Sequence, residues 1–183
     1  MQTVYDLDKI EVPSKLLILV RGLPGCGKSL IAKLLTKANG IAISVDDFLT
    51  NPQGQYEFSK GNFIAAQEAC RQYCRELMAS NSDLIVLHNT FSQAWEAKDY
   101  FDMANEFSYS VQVVSLYDNG LNDSDLSKRC IHFMPVHLIQ KCRHKWDLDI
   151  YPHRQRTNIV ESFTLKGQAD SKIYLHSKKT INQ

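Results

Sequence analysis

The chain has 183 residues, 44% of them hydrophobic and 22% charged, with a formal net charge of +1. That length is enough for one domain with a real core, and the composition is that of a soluble globular protein. The near balance of charge supplies no global field that would draw in nucleic acid or a membrane surface.

The opening MQTVYDLDKIEVPSK is polar and mixed in charge, and the apolar run LLILV behind it is cut off by Arg21. The run is too short for a signal-peptide core, and no stretch approaches the roughly 20 apolar residues of a membrane helix. A cytoplasmic or nuclear protein with no membrane partner is therefore expected. Five cysteines, an odd count with no signal peptide, argue against a disulfide framework.

Short apolar runs then alternate with helical patterns. LLILVR (16–21) predicts a buried strand, SLIAKLLTKA (29–38) a helix, and IAISV (41–45) a second strand before the turn-rich TNPQGQ. GNFIAAQEACRQYCRELMAS (61–80) predicts a long amphipathic helix, with Cys70 and Cys74 as core fillers four residues apart. LIVLH (84–88) is a third strand, SQAWEAKDYFDMANEF (92–107) a helix, and VQVVSLY (111–117) a fourth strand. This alternation predicts an α/β fold, a mainly parallel sheet in three layers with helices on both faces and ligands at the carboxyl ends of the strands.

Beyond residue 120 the pattern changes. LNDSDLSKRCIHF and VHLIQKCRHKW read as two helices broken at Pro135, carrying Lys128, Arg129, Lys141, Arg143 and Lys145, with Arg154 and Arg156 soon after. Cys130, His132, His137, Cys142 and His144 match no familiar zinc spacing, so ordinary helix roles are expected for them. The tail offers two candidate strands, NIVESFTL and KIYLHS, around a turn-like KGQAD. Residues 1–183 are read as one domain, with a core over 16–119, a basic lid region over 120–156 and a tail over 157–183.

GLPGCGKS, residues 22–29, fits the phosphate-binding loop G-x-x-x-x-G-K-[ST] at every fixed position, and it lies between a predicted strand and a predicted helix. Glycine lets the backbone wrap close, so that successive N–H groups point at anionic oxygens. The helix behind the loop adds its positive dipole end. Gly22, Leu23, Pro24, Gly25, Cys26, Gly27, Lys28, Ser29 and Leu30 are thus the expected ATP-binding residues. Lys28 should reach the β- and γ-phosphates and the Ser29 hydroxyl should bind Mg²⁺. Cys26 is read as a small spacer.

No N-K-x-D stretch of a GTPase and no L-S-G-G-Q signature is present. SVDDFL closes the second strand with two adjacent acids, Asp46 and Asp47. Neighbours on a strand face opposite ways, so only one of them can face the cleft. That one is a candidate base for an acceptor hydroxyl; the other use of such a pair is to cap a helix.

GLPGCGKS, SVDDFL, GQYEF, NTFSQAWE and KRCIHFMP occur in the order seen in kinases similar to 5′-polynucleotide kinases. The resemblance covers about residues 16–147 and is closest to the compact animal branch, which includes the kinase module of large ubiquitin-ligase-binding proteins. It implies a P-loop kinase core with a helical lid, and transfer of the γ-phosphate of ATP to a polynucleotide 5′-hydroxyl. By that resemblance Asp46 matches the general base, with Ser29 and Asp46 on the metal side, and Arg129 matches a lid arginine that closes over the phosphates. An arginine reaching in from a lid would also stabilise the charge of the transition state. Lys128 and His132 are lesser candidates for that work.

The chain departs from the family in two places. His88 stands where related kinases carry an acid beside the NT element, and Phe48 and Leu49 follow the acid pair where phage-type enzymes place an arginine. Asn89 and Thr90 are expected either to touch the acceptor or to cap the following helix. Trp95 is expected to pack against its neighbours, with stacking on a base as the alternative. Three functions remain open: a kinase of a nucleic-acid 5′-hydroxyl, a small-molecule or nucleoside-type kinase, and a nucleotide-binding interaction module with weak or no catalysis.

Overall fold

Leu16–Arg21 forms β1, and all six of its residues are buried. Leu16, Ile18 and Val20 enter one apolar cluster with Ala32, Val86 and Val114. Leu17 and Leu19 enter a larger one on the opposite face. A strand that is apolar on both sides belongs at the centre of a layered sheet. The computed structural model describes residues 14–37, 39–51, 53, 55–132, 134–152, 163–167 and 173–177.

Among the described residues the sheet has the order β2-β3-β1-β4-β5-β6, with β2 at Ile41–Ile43, β3 at Leu84–Asn89, β4 at Ser110–Leu116, β5 at Phe163–Gly167 and β6 at Ile173–Ser177. The strands from β2 to β5 are parallel, and only β6 runs antiparallel, against β5. Arg21 pairs with Asn89 on one side and Ser115 on the other, so three strands end level with one another. The loops that follow these strands therefore share one edge, where an open parallel sheet binds its ligands. The tail thus places two strands at the sheet edge. The expected strand over 158–165 is described only from Phe163, and it continues to Gly167, into the expected turn. Residues 158–162, the rest of that turn, and Arg154 and Arg156 lie outside the described residues.

Helix α1, Lys28–Leu35, packs Ala32 into the cluster on one face of the sheet. It stops short of the predicted 38 because the Thr36 hydroxyl turns back onto the Ala32 carbonyl at 2.9 Å. On the other face lie α2, Lys60–Ala79, and α3, Ala94–Glu106. The Ser59 hydroxyl accepts the Asn62 amide at 3.1 Å and caps α2. Ala66, Cys70, Cys74, Leu77 and Met78 then recur on one side of α2 and bury it. Each fully buried leucine, such as Leu17 or Leu19, contributes about 1.5–3 kcal/mol. Burial pushes the Cys70 and Cys74 thiols up to about 11 and about 12, so both stay neutral core groups.

Trp95 is 66% exposed, which corrects the packing expectation. The buried face of α3 is built from Ala97, Tyr100, Phe101 and Ala104. Trp95 lies one position off that face, on the stripe that carries the ion-paired Lys98 and Asp102.

After β4 come α4, Asp123–Arg129, and α5, Val136–His144, joined where the Ser127 hydroxyl donates to the Met134 carbonyl at 2.7 Å. The Asn122 side chain caps α4 by accepting the Asp125 amide, and Pro135 stands at the N-cap of α5. Arg143 of α5 pairs with Asp118 behind β4 and with Asp123 of α4, fastening both helices to the sheet. Burial alone would raise the Asp118 carboxyl, but the Arg143 guanidinium and the Gly120 amide together hold it below its ordinary value. No described helix is long and apolar enough to cross a membrane.

Candidate active site

β1 delivers the chain into the loop at Gly22, whose amide donates to the Thr90 carbonyl at 3.3 Å, tying the ends of β1 and β3 together. Gly25 and Gly27 adopt φ of 81° and 98°, the left-handed region that favours glycine. A Cβ on Gly25 would lie 2.1 Å from the Leu126 carbonyl oxygen, so α4 rests directly on the loop. A Cβ on Gly27 would meet nothing within 4 Å. The Lys28 ammonium turns back and donates to the Gly22 and Leu23 carbonyls, each at 3.0 Å. The Leu30 and Ile31 amides of the first turn of α1 donate to the Gly27 carbonyl at 3.1 and 3.2 Å, and the helix dipole adds positive potential beside Lys28. Ser29 stands exposed on the same turn.

This set of groups fits the triphosphate of ATP with Mg²⁺. An ammonium held among the described residues by neutral carbonyls, an open backbone at Gly27 and an exposed Ser29 are what a phosphate chain and its cation need. Cys26 faces inward, against Leu23, Leu126 and Ile139, and its sulfur would lie 2.4 Å from a Cβ on Gly22. Burial pushes its thiol above the ordinary value, the opposite of an activated cysteine.

The acid pair lies not on a strand but on a 3₁₀ turn, Val45–Phe48, because β2 ends at Ile43. The reason is a capping box. Asp47 Oδ2 accepts the Ser44 amide at 2.7 Å and the Ser44 hydroxyl at 3.1 Å. Asp46, by contrast, keeps a side chain 48% exposed. Its Oδ1 accepts the Tyr56 hydroxyl at 3.0 Å, and its Oδ2 lies 3.8 Å from His132 Nε2. The Tyr56 and His132 rings stack, with centroids 4.1 Å apart and planes 20° apart. Burial first, and then the Asp46 charge, push the Tyr56 phenol well above its ordinary value, so it serves as a donor.

His88, at the end of β3, lies within electrostatic reach of Lys28, Asp46 and Asp47. Burial is the main force that lowers its pKa; Asp47 opposes the shift and Lys28 adds to it. Asn89 does not cap the following helix. Its Oδ1 accepts the Val45 amide at 2.9 Å, fixing the acid-bearing turn to β3. Thr90 contributes its carbonyl to Gly22; at the start of α3 the Ala94 amide donates to Asp147 Oδ2 at 2.7 Å, and the Glu96 carboxylate accepts the Ser92 amide and hydroxyl.

Arg129 ends α4 with its side chain exposed, and it makes no ion pair among the described residues. Lys128, Lys141 and Lys145 are exposed as well. Sequence reasoning gave Tyr56 no role and missed Arg21. Arg21 is 1% exposed and lies over the Trp146 ring at 4.1 Å. It donates to the Asp147 carbonyl at 2.9 Å, while its Nε has no hydrogen-bond partner among the described residues. Its one sequence signal is a charge at the end of an otherwise apolar strand.

A glycine loop between β1 and α1, a 2-3-1-4 parallel core and a helical segment after β4 define a P-loop nucleotide-binding domain of kinase-like fold. The family described as an AAA domain matches residues 17–117, and the chain belongs to it. Human NEDD4-binding protein 2 is 36% identical over 97 residues, which cover 52% of this chain and 5% of that protein. The rat 2′,3′-cyclic-nucleotide 3′-phosphodiesterase is 31% identical over 103 residues, 55% of this chain and 23% of that protein. The chain thus spans only a small part of the length of these relatives. Among solved structures, a chain of the Pnkp1/Rnl/Hen1 RNA repair complex superposes with a TM-score of 0.56 at 18% identity, over 81% of this chain and 53% of its own. A gluconokinase from Sinorhizobium meliloti 1021 gives 0.51 at 18% identity, over 85% and 84%. At these identities the two structures speak for the fold alone.

Proposed function

We propose that this domain is an ATP-dependent kinase that moves the γ-phosphoryl group of ATP to a hydroxyl acceptor, a polynucleotide 5′-hydroxyl in the first instance. The observation that carries the reading is the division of labour in the acid pair. Asp47 is consumed as a cap, and Asp46 is left as a carboxylate in the cleft beside the phosphate loop. Asp46 accepts the proton of the attacking hydroxyl, Lys28 and the loop amides hold the phosphates, and Arg129 meets the charge that develops on the transferring group. Ser29 would hold Mg²⁺, which would supply charge neutralisation between the phosphates, while Asp46 stands on the metal side as the base.

The nucleic-acid acceptor is supported by the order of the sequence motifs and by the exposed cations Lys128, Arg129, Lys141 and Lys145 around the lid. A relative named for its action on a 2′,3′-cyclic nucleotide points the same way. A small-molecule acceptor is favoured by one feature. Behind the acid pair, Phe48 sets its ring edge-on to Tyr73 and Leu49 is buried, so neither offers a contact to a substrate phosphate. Incubation with γ-labelled ATP and a panel of 5′-hydroxyl oligonucleotides, nucleosides and sugars separates the two. Label on oligonucleotides, with an affinity that falls as salt rises, supports the first. Label confined to a small acceptor supports the second. No label on any acceptor, with ATP still stabilising the fold, contradicts both and leaves a nucleotide-binding module.

A further inference from the structure

We infer that His132 is an acceptor-contacting residue of the lid and that Tyr56 is the positioning residue that aims Asp46 at the same hydroxyl. The inference rests on the kinase reading above and deepens it. Tyr56 occupies Asp46 Oδ1 at 3.0 Å, which fixes the rotation of the carboxylate and leaves Oδ2 to act. His132 Nε2 stands 3.8 Å from Oδ2, too far for a direct hydrogen bond. An oxygen atom about 2.8 Å from each, an ordinary hydrogen-bond length, closes a triangle between them. That oxygen is the attacking hydroxyl. Its proton passes to Asp46 Oδ2 as its bond to the γ-phosphorus forms and the bond from that phosphorus to the ADP oxygen breaks. His132 Nε2–H donates to the oxygen's remaining lone pair and keeps it aimed.

The stack between Tyr56 and His132 seats the lid at this point, with the rings 4.1 Å apart. Arg129 lies three residues before His132 on the same segment. The seat at Tyr56 that places His132 therefore also places the end of α4, which carries Arg129.

The test is steady-state transfer from ATP to the acceptor labelled in the panel, with His132→Ala, His132→Gln, Tyr56→Phe and Asp46→Asn beside the wild type. His132→Ala is expected to raise the acceptor KM at least tenfold while the KM for ATP stays within twofold. His132→Gln, whose amide nitrogen reaches the same place, recovers most of that loss. Tyr56→Phe lowers kcat and leaves the acceptor KM near the wild-type value. An acceptor KM within twofold of wild type in His132→Ala, or a parallel rise in both KM values that glutamine does not rescue, overturns the role of His132. If His132→Ala fails to fold, the glutamine variant decides, since a raised acceptor KM there overturns the inference. Full turnover by Asp46→Asn, or no transfer to any acceptor, overturns the kinase reading and this inference with it. An inactive Asp46→Asn beside an unaffected His132→Ala overturns this inference alone.

Discussion

Asp47 Oδ2 accepts the Ser44 amide at 2.7 Å, and this bond makes the second acid of the pair a cap while its neighbour faces the cleft. Asp47→Ala should accordingly lower stability by about 1 kcal/mol, the usual cost of a lost cap. It should leave most of the phosphoryl transfer intact under conditions where the protein is folded. Urea unfolding and a transfer assay check this together. Unchanged stability with abolished transfer would assign the base to Asp47 instead.

Gly25 and Gly27 both hold left-handed backbone, yet they differ in what surrounds them. A methyl at Gly25 would run into the Leu126 carbonyl at 2.1 Å, whereas one at Gly27 meets nothing within 4 Å. Gly27→Ala should cost only the strain of its φ, on the order of 1–2 kcal/mol. Gly25→Ala should cost more and displace α4 from the loop. The signature is a thermal midpoint lower for Gly25→Ala than for Gly27→Ala. Equal midpoints would contradict the close seating of α4 on the loop.

Arg21 is the cation that binds the end of β1 to the segment behind α5, through Trp146 and the Asp147 carbonyl. Burial brings its pKa down to about 10, against the pull of Asp147, Glu96 and Asp149, so it stays charged at neutral pH. Arg21→Ala removes the stack and the hydrogen bond and leaves a hole, at a cost of about 3 kcal/mol. Denaturant unfolding measures it. A loss below about 1 kcal/mol, within the range of ordinary surface substitutions, would show that the clamp is idle.

His88 is held below its ordinary value of 6.5, mainly by burial, so the folded protein prefers the neutral ring. As pH falls through 6.5 the unfolded chain takes up a proton that the folded chain resists. The contribution of His88 to stability is therefore complete above that pH and is lost on acidification below it. Unfolding measured at pH 7.5 and about pH 5.5 for the wild type and His88→Gln isolates the term, since every other histidine is common to both. The wild type should lose more stability than the variant. An equal loss in both contradicts a buried neutral imidazole.

Much of this was legible in the sequence, because periodicity and the loop motif are local. The strand at 16–21 and the helix behind GLPGCGKS follow from residues within one window. The alternation of strands and helices likewise forecast helices on both faces, and the two apolar faces of β1 pack against them. What was not legible depends on contacts made across the chain. The strand expected over 41–45 stops early because Asp47 reaches back to Ser44, and the Asn89 amide pins the resulting turn from β3. Tyr56 and His132 meet across 76 positions of sequence, and no spacing rule connects them. Trp95 was misjudged on residue type, although its place beside Lys98 and Asp102 on the helix already indicated an outward face.

The measurement that bears most directly on the whole account is single-turnover transfer of labelled phosphate by Asp46→Asn, with ATP binding followed by its thermal shift. Asparagine keeps the shape and the Tyr56 contact but cannot take the proton. The account predicts a rate lower by about 10²–10⁴, the range of general-base catalysis, with the thermal shift by ATP retained. A transfer rate within a few-fold of the wild type would contradict it.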